Sequence, residues 1–463
     1  MNKVRLSSCI FHLSDQQKFA DFSGDINPIH LCDEYARKTP PGQVIVHGIN
    51  SLLWALDGFL SCGHSISGQM NVRFLQPIHL NEVVFCDYFV KERIIEISNA
   101  NVIFVKIKLS DNFYNHISGD SESLYSKTSY DLQICELALN DIQSGLSLAL
   151  SESADPDFID ELYPALLVYL GRSIVCQIAC LSSVVGMQIP GLHSIFASVS
   201  IDLQKSSNRK FVEVVKTDQR FGLVDLKVQS SDVHSKVRAI IRPKPTECLP
   251  LDSLKKKINK TFAVGESVLV IGGSRGLGSY VVKILALSGA RVTFTYSKGQ
   301  KDAQILKSEL SGSNINVDFV HFDIRDLDFS ALFDCKPDYI FYFATPKIFV
   351  KRSKCFENKL YEGFKLFYVD AFKSILENSG TNSVKGIFYP SSVAVEENTK
   401  DLAEYIKAKL EGEELSKQAN IANKTNIFIS RLPRTLTDQT ATNLTIESKD
   451  PFEVMMPILE EFF

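Results

Sequence analysis

No run of 18 or more apolar residues occurs in this 463-residue chain, so the sequence offers no membrane span. The opening stretch, MNKVRLSSCIFHLSDQQKF, lacks an apolar segment long enough for a secretory signal, and a cytoplasmic location is the expectation. An excess of either charge is also missing. Fifty basic against 54 acidic residues leave a formal net charge of −4, which gives no reason to expect a nucleic-acid partner or an anionic membrane surface. Ten cysteines are present but no CxxC, and Cys176 and Cys180, four apart in an apolar run, have no histidine pair nearby at zinc spacing. No metal is expected, and the thiols read as reduced and mostly buried.

What is there suffices for several cores: 45% of the residues are hydrophobic and 22% charged, and the length suits two to four domains. The first region, 1–130, has a polar opening and a helical segment from Val46 to Leu60. Strand-like runs follow at Gln69–Phe74, Glu82–Val90, Ile94–Ile97 and Val102–Leu109. Residues 111–128 are polar and loop-like. A second region, 150–245, repeats that order: a long apolar helix from Ala165 to Val185, then strands at Ser194–Leu203, Phe211–Lys216, Gly222–Gln229 and Ser235–Ile241. The shared order suggests two copies of one fold. Residues 243–262, with three prolines and five lysines, read as a linker. The third region, 263–463, alternates buried strands with helical patterns: Ser267–Ile271, Arg291–Tyr296, Val317–Phe322, Tyr339–Phe343, Gly386–Tyr389 and Asn426–Ser430. That alternation predicts an α/β, doubly wound parallel sheet.

Residues 22–36 read FSGDINPIHLCDEYA. Asp25 and His30 lie five apart, with Asn27-Pro28 between them. Pro28 fixes its own backbone and restricts Asn27, so the segment is a shaped turn that can aim a carboxylate and an imidazole at one point. Adding water to a double bond needs such a pair: one group takes a proton from water and the other handles the proton at the neighbouring carbon. Taken alone, the spacing reads more readily as Asp25 capping a turn or helix and His30 lying at the surface; its context changes that. Further on, Gly48 of VHG opens an apolar helix, whose first N–H groups suit an oxygen gaining negative charge. GDINPIH, Ala36 and the later VHG together resemble the signature of the MaoC-like R-specific enoyl-CoA hydratases, over about residues 15–110. The resemblance implies a hot-dog fold (α+β, a sheet wrapped around a central helix), Asp25 and His30 as the catalytic pair, and Gly48 as donor of an oxyanion-binding N–H. The second region has no D-x-N-P-x-H. It looks like the other half of a double hot-dog, shaping the acyl tunnel, although its apolar helix is equally consistent with ordinary core. His193 reads as structural rather than as lining a pocket.

Residues 267–278 read SVLVIGGSRGLG, a buried strand running into Gly272, Gly276 and Gly278 and then a helix. Glycines there permit a tight turn and close approach of a pyrophosphate, with Ser274, Arg275 and Leu277 on the same loop. The next strand ends at Tyr296-Ser297-Lys298 without the acid that would hold the ribose hydroxyls of NAD. Arg275 and Lys298 can instead meet a 2′-phosphate, which favours NADP(H). Asp323 stands where such folds contact the adenine, and Ala344 follows the fourth strand. Ser392 ends a strand, and Tyr405 and Lys409 follow 13 and 17 residues later on one helix face. With the glycine turn, these residues resemble the short-chain dehydrogenase/reductase family. The resemblance implies that Tyr405 donates the proton to a carbonyl, that Lys409 lowers its pKa and holds the ribose, and that Ser392 orients the substrate oxygen. There are departures. Tyr342-Phe343-Ala344-Thr345 replaces the usual Asn-Asn-Ala-Gly, and Tyr368 or Asp370 falls near the relay asparagine's place. Only 25 residues follow Asp438, too few for both the usual lid and a seventh strand.

The two resemblances name consecutive steps. A reductase turns a 3-ketoacyl thioester into a 3-hydroxyacyl thioester, and a hydratase run in reverse dehydrates that product to the enoyl thioester. The expectation is a bifunctional enzyme of acyl-chain building, acting on a thioester of acyl carrier protein or CoA. Two alternatives stay open: the same enzyme running towards oxidation, and a dehydratase whose C-terminal region is a redox-inactive nucleotide-binding scaffold. The oligomeric state, including a homo-oligomer, is open as well.

Overall fold

The computed structural model describes residues 3–66, 68–111, 133–150, 154, 159–203, 209–349, 356–379, 384–397, 400–422, 426–442 and 446–463. Apart from Asp111, the loop-like stretch 111–128 lies outside the described residues. Among those described, no single helix is long and apolar enough to cross a membrane. The chain divides into two compact units, one reaching Lys244 and the other beginning at Pro245.

The first unit is one antiparallel sheet of ten strands around apolar helices. Its first half supplies β1 (Lys3–Ile10), β2 (Gln69–Phe74), β3 (Val83–Phe89), β4 (Ile94–Ser98) and β5 (Ile103–Leu109). The second half supplies β6 (Ser147–Ala149), β7 (Ser194–Asp202), β8 (Phe211–Asp218), β9 (Leu223–Gln229) and β10 (His234–Ile241). The order across the sheet is β1-β3-β4-β5-β2-β7-β10-β9-β8-β6. It reads the same from both edges once each strand is matched to its counterpart in the other half, so the two halves are two copies of one hot-dog fold. They join where β2 pairs with β7, Met70 opposite Ile201 and Val72 opposite Val199. The helix Gly48–Ser61 buries Ile49, Leu52, Leu53, Ala55, Leu56 and Phe59, and the helix Arg172–Ser183 buries every residue from Ile174 onward. Helices buried nearly all round belong at the centre of a core rather than on its surface.

Three expectations change here. β1 and the helix Leu13–Ser23 replace the polar opening; β1 is an edge strand with several exposed residues, held by pairing with β3 rather than by an apolar face of its own. The helix expected over 165–185 is broken at Gly171, whose φ of 78° leaves the helical region, and its two parts meet at 118°. After Ser183 the helix widens: the Ile189 N–H donates to the Val184 carbonyl, five residues back (2.8 Å). The stretch read as a linker is also partly folded, for Leu251–Lys257 is a helix with Leu251 and Leu254 buried in the second unit's core.

In the second unit, β11 (Ser267–Ile271), β12 (Arg291–Tyr296), β13 (Val317–His321), β14 (Tyr339–Tyr342), β15 (Gly386–Ser392) and β16 (Ile427–Leu432) form a parallel sheet ordered β13-β12-β11-β14-β15-β16. β11 is buried at every position, as a central parallel strand covered by helices on both faces must be. The strand order reverses between β11 and β14, and in such sheets a ligand crevice opens there, at the carboxyl ends of the strands. Among the described residues no seventh strand follows β16; the chain ends in the helix Pro451–Phe462.

Candidate active sites

In the first unit the turn after Gly24 builds itself from its own side chains. The Asn27 N–H donates to Asp25 Oδ1 (3.2 Å) and the Ile29 N–H to Asn27 Oδ1 (3.2 Å). Asn27 Nδ2 then donates to the carbonyls of Gly186 (2.9 Å) and Leu192 (3.2 Å), which ties the turn to the second half. His30 Nδ1 lies 2.8 Å from the Ile45 carbonyl. A carbonyl only accepts, so Nδ1 carries the proton and Nε2 keeps the lone pair. His47 stacks on His30, ring centroids 3.9 Å apart. It is pinned on both sides: its N–H donates to Gln16 Oε1 (2.9 Å), its Nδ1 lies 2.9 Å from that same oxygen, and its Nε2 lies 3.0 Å from the Asp25 carbonyl. A carboxylate oxygen of Asp25 and one ring nitrogen each of His30 and His47 lie within 4.8 Å of one another. The structure thus brings Asp25 and His30 together.

Two groups of the second half complete this site, and no motif pointed to them. Ser182 Oγ donates to Asp25 Oδ2 (2.6 Å). Gly186 lies directly against the carboxyl group, where a Cβ would come within 2.4 Å of Oδ1. Only the missing D-x-N-P-x-H of the second half marked it as different, and that absence did not point to a serine and a glycine. Gly48 opens its helix as expected, with the Phe74 ring 3.1 Å from where its Cβ would be. The N–H groups of a helix's first turn have no partner within the helix and carry its positive end. His193 is itself buried, and its Nε2 lies 2.9 Å from Glu136 Oε1.

Burial decides the protonation of the pair. It pushes Asp25 above the usual carboxylate range, against the opposing pull of His30, Ser182 and the Asn27 N–H. Burial also pushes His30 down, against the pull of Asp25. Both shifts run towards the neutral forms, a carboxylic acid beside an imidazole with a free ring nitrogen. That is the state in which one group can act as acid while the other acts as base.

In the second unit the glycine turn has the geometry a dinucleotide requires. Gly272 has φ 80°, and a Cβ there would lie 2.8 Å from the Ala344 nitrogen, across the switch point. A Cβ on Gly278 would lie 2.3 Å from the Gly272 carbonyl, so this glycine lets the helix Gly276–Leu287 close onto the turn. These residues, with Ser274 and Leu277 on the same loop, fit a nicotinamide dinucleotide whose pyrophosphate meets the helix N-terminus. Arg275 Nη1 lies 3.6 Å from Asp438 Oδ2, so the cation beside the glycine turn already has an acidic neighbour. Asp323 is held to about 2 by the Arg325 guanidinium, and Ser297 Oγ lies 3.5 Å from its carboxylate.

Ser392, Tyr405 and Lys409 come together at the carboxyl end of β15. The Tyr405 phenol hydrogen-bonds Ser392 and is pushed up to about 12 by burial. Lys409 Nζ donates to the Pro390 carbonyl (2.7 Å), and burial pulls it down to about 7. Gly412 makes this fit possible: a Cβ there would lie 1.8 Å from the Tyr389 hydroxyl oxygen. Ser391, next to Ser392, turns the other way to Glu413 (2.5 Å), which Arg431 also holds.

Residues 5–108 match the MaoC like domain, and residues 266–332 match the short chain dehydrogenase family. A 3-hydroxybutyryl-CoA dehydratase of Methylorubrum extorquens is 33% identical over 92 residues, which are 19% of this chain and 59% of that protein; the chain thus spans under two thirds of that relative's length. A short-chain dehydrogenase/reductase from Serratia marcescens aligns over 43% of this chain and 91% of its own, at 17% identity and a TM-score of 0.38. FolM alternative dihydrofolate reductase 1 from Brucella canis, complexed with NADP, aligns over 43% and 88%, at 15% identity and a TM-score of 0.38. The chain carries a MaoC-like dehydratase domain at its N-terminus and a short-chain dehydrogenase domain at its C-terminus.

Proposed function

We propose that the chain is a bifunctional enzyme of acyl-chain building, a 3-ketoacyl thioester reductase and (R)-3-hydroxyacyl thioester dehydratase. The observation that carries the reading is the convergence of buried Asp25 and half-buried His30 on one point, in one chain with a Ser392–Tyr405–Lys409 constellation. In the dehydratase direction one member of the pair takes the proton beside the thioester carbonyl and the other protonates the leaving hydroxyl. The Gly48 N–H, at the positive end of its helix, steadies the oxygen that gains charge. At the second site a bound NADPH supplies hydride. Tyr405 gives its proton to the ketone oxygen, Ser392 holds that oxygen near the phenol, and Lys409 provides the charge that eases the proton's release. The reading includes NADP(H) rather than NAD, a carrier-protein or CoA thioester as substrate, and a cytoplasmic location.

One observation favours a second reading, a dehydratase joined to a nucleotide-binding module without turnover. Lys409 points to Pro390 and sits where burial disfavours its charge. One experiment separates the two: purified protein is given trans-2-enoyl and 3-ketoacyl thioesters of CoA and of acyl carrier protein, with NADPH for the latter. The bifunctional reading expects hydration that H30A abolishes and reduction that Y405F abolishes. NADPH binding without reduction on any chain length or carrier overturns it in favour of the second reading.

A further inference from the structure

Lys409 is buried without a carboxylate of its own. The acid that acts on it is Glu413, on the same helix. The Glu413 carboxylate, however, is held by Ser391 Oγ (2.5 Å) and by the Arg431 guanidinium (2.8 and 2.7 Å). What surrounds the ammonium is aromatic. Nζ lies 3.8 Å from the centre of the Tyr368 ring, 5.3 Å from that of Tyr389 and 5.9 Å from that of Tyr405. The rings come from three elements: the wide helical turn Leu366–Asp370, β15 and the helix Ala403–Ile421. The Tyr368 hydroxyl is 2.6 Å from Thr345 Oγ1, so it is the face of the ring that meets the ammonium. A Cβ on Gly412 would lie 1.8 Å from the Tyr389 hydroxyl oxygen and 2.7 Å from the Tyr368 carbonyl, so the cage closes only around a glycine.

We propose that Tyr368 is a positioning residue for Lys409, holding its ammonium by the ring face inside a cage of three tyrosines. The electrons of a desolvated ring face favour the charged over the neutral amine by about tenfold or more. They do this without the carboxylate that would tie the side chain down, so the ammonium stays available to Tyr405 and to a ribose. The proposal takes its functional meaning from the reductase reading above, while the cage itself does not depend on it.

The test compares Tyr368→Phe, which keeps the ring, with Tyr368→Met, which fills similar space without one; Tyr368→Leu replaces the methionine variant if that does not fold. The first readout uses the protein without cofactor. Lys409 is held near about 7, so the folded chain binds fewer protons than the unfolded chain above that pH, and stability rises as pH rises through about 7. Y368F should keep the pH at which that rise begins, and Y368M should move that onset down by about one pH unit. In a K409M background the two variants should no longer differ. The second readout is NADPH affinity at about pH 9, where the amine is mostly neutral and its charged fraction limits binding; Y368M should weaken it about tenfold and Y368F by less than twofold. A change confined to Y368M in either readout supports the cage. Y368M matching wild type in both, or Y368F as impaired as Y368M, overturns it. If wild type binds no NADPH the reductase reading fails, and the pH dependence of stability still decides the cage.

Discussion

A methyl group on Gly186 would stand 2.4 Å from Oδ1 of Asp25 and 2.8 Å from its Cγ and Oδ2. The two residues are in different halves of the first unit, and the second half sets where the carboxyl group of the first can lie. Gly186→Ala should therefore displace Asp25 and lower hydration of an enoyl thioester about a hundredfold or more. The protein itself should stay folded, at an overpacking cost of about 1–3 kcal/mol. kcat/KM and thermal unfolding report the two effects separately. Unchanged hydration would place the working carboxylate elsewhere.

Ser182→Ala removes a hydroxyl that donates to Asp25 Oδ2. That bond favours the ionised carboxyl, so its loss raises the Asp25 pKa further. A hydrogen bond to a charged group is worth roughly 1.5–3 kcal/mol, so the rise should be about one to two pH units. The limb of the kcat/KM–pH profile that reports Asp25 should move to higher pH by that amount. A limb that stays in place assigns it to another group. Asp25→Asn and His30→Ala should each lower hydration about 10²–10⁴-fold while leaving NADPH binding intact.

Arg275→Ala should weaken NADPH by roughly 1–3 kcal/mol and NADH much less, as loss of a charged hydrogen bond to a 2′-phosphate requires. Asp438, 3.6 Å from the guanidinium, shares that charge, so Asp438→Asn should tighten NADPH. Fluorescence titration of both cofactors reads this directly, and equal weakening of the two by Arg275→Ala would exclude the 2′-phosphate role.

Lys409→Met removes a buried ammonium. Its folded-state pKa is depressed, so burying it is most unfavourable below about pH 7 and progressively less so towards the ordinary lysine range. The substitution should raise stability by a few kcal/mol at most near pH 6. A pKa displaced by one pH unit on folding corresponds to about 1.4 kcal/mol, and the Tyr368 ring and the Pro390 bond offset part of the cost of burial. The gain should shrink by pH 9, as thermal unfolding at the two pH values would show. Tyr405→Phe, in contrast, should abolish ketoacyl reduction and leave both stability and hydration near wild type.

What the sequence alone determined is what lies close along the chain. The turn from Asp25 to His30 closes through bonds spanning two residues. Within the glycine turn, Gly278 lets the helix after it close onto Gly272, six residues back. Tyr405 and Lys409 share a face because the helix repeats every 3.6 residues. Each is a local pattern with a local physical cause, and so is the alternation that marked most strands of both sheets. Tertiary structure decided the rest. Ser182 reaches Asp25 across 157 residues, and Gln16 reaches His47 across 31. The same holds for the partners of Lys409: Tyr368 stands over the ammonium, and Gly412 is needed only because Tyr389 lies across the helix there. No spacing announces such neighbours. Ser182 and Gly186 look like ordinary small residues of an apolar helix until β2 pairs with β7 and joins the two halves into one sheet. Sequence pattern records what a residue does to its own segment, whereas the environment that sets a buried group's protonation comes from segments that only the fold brings near.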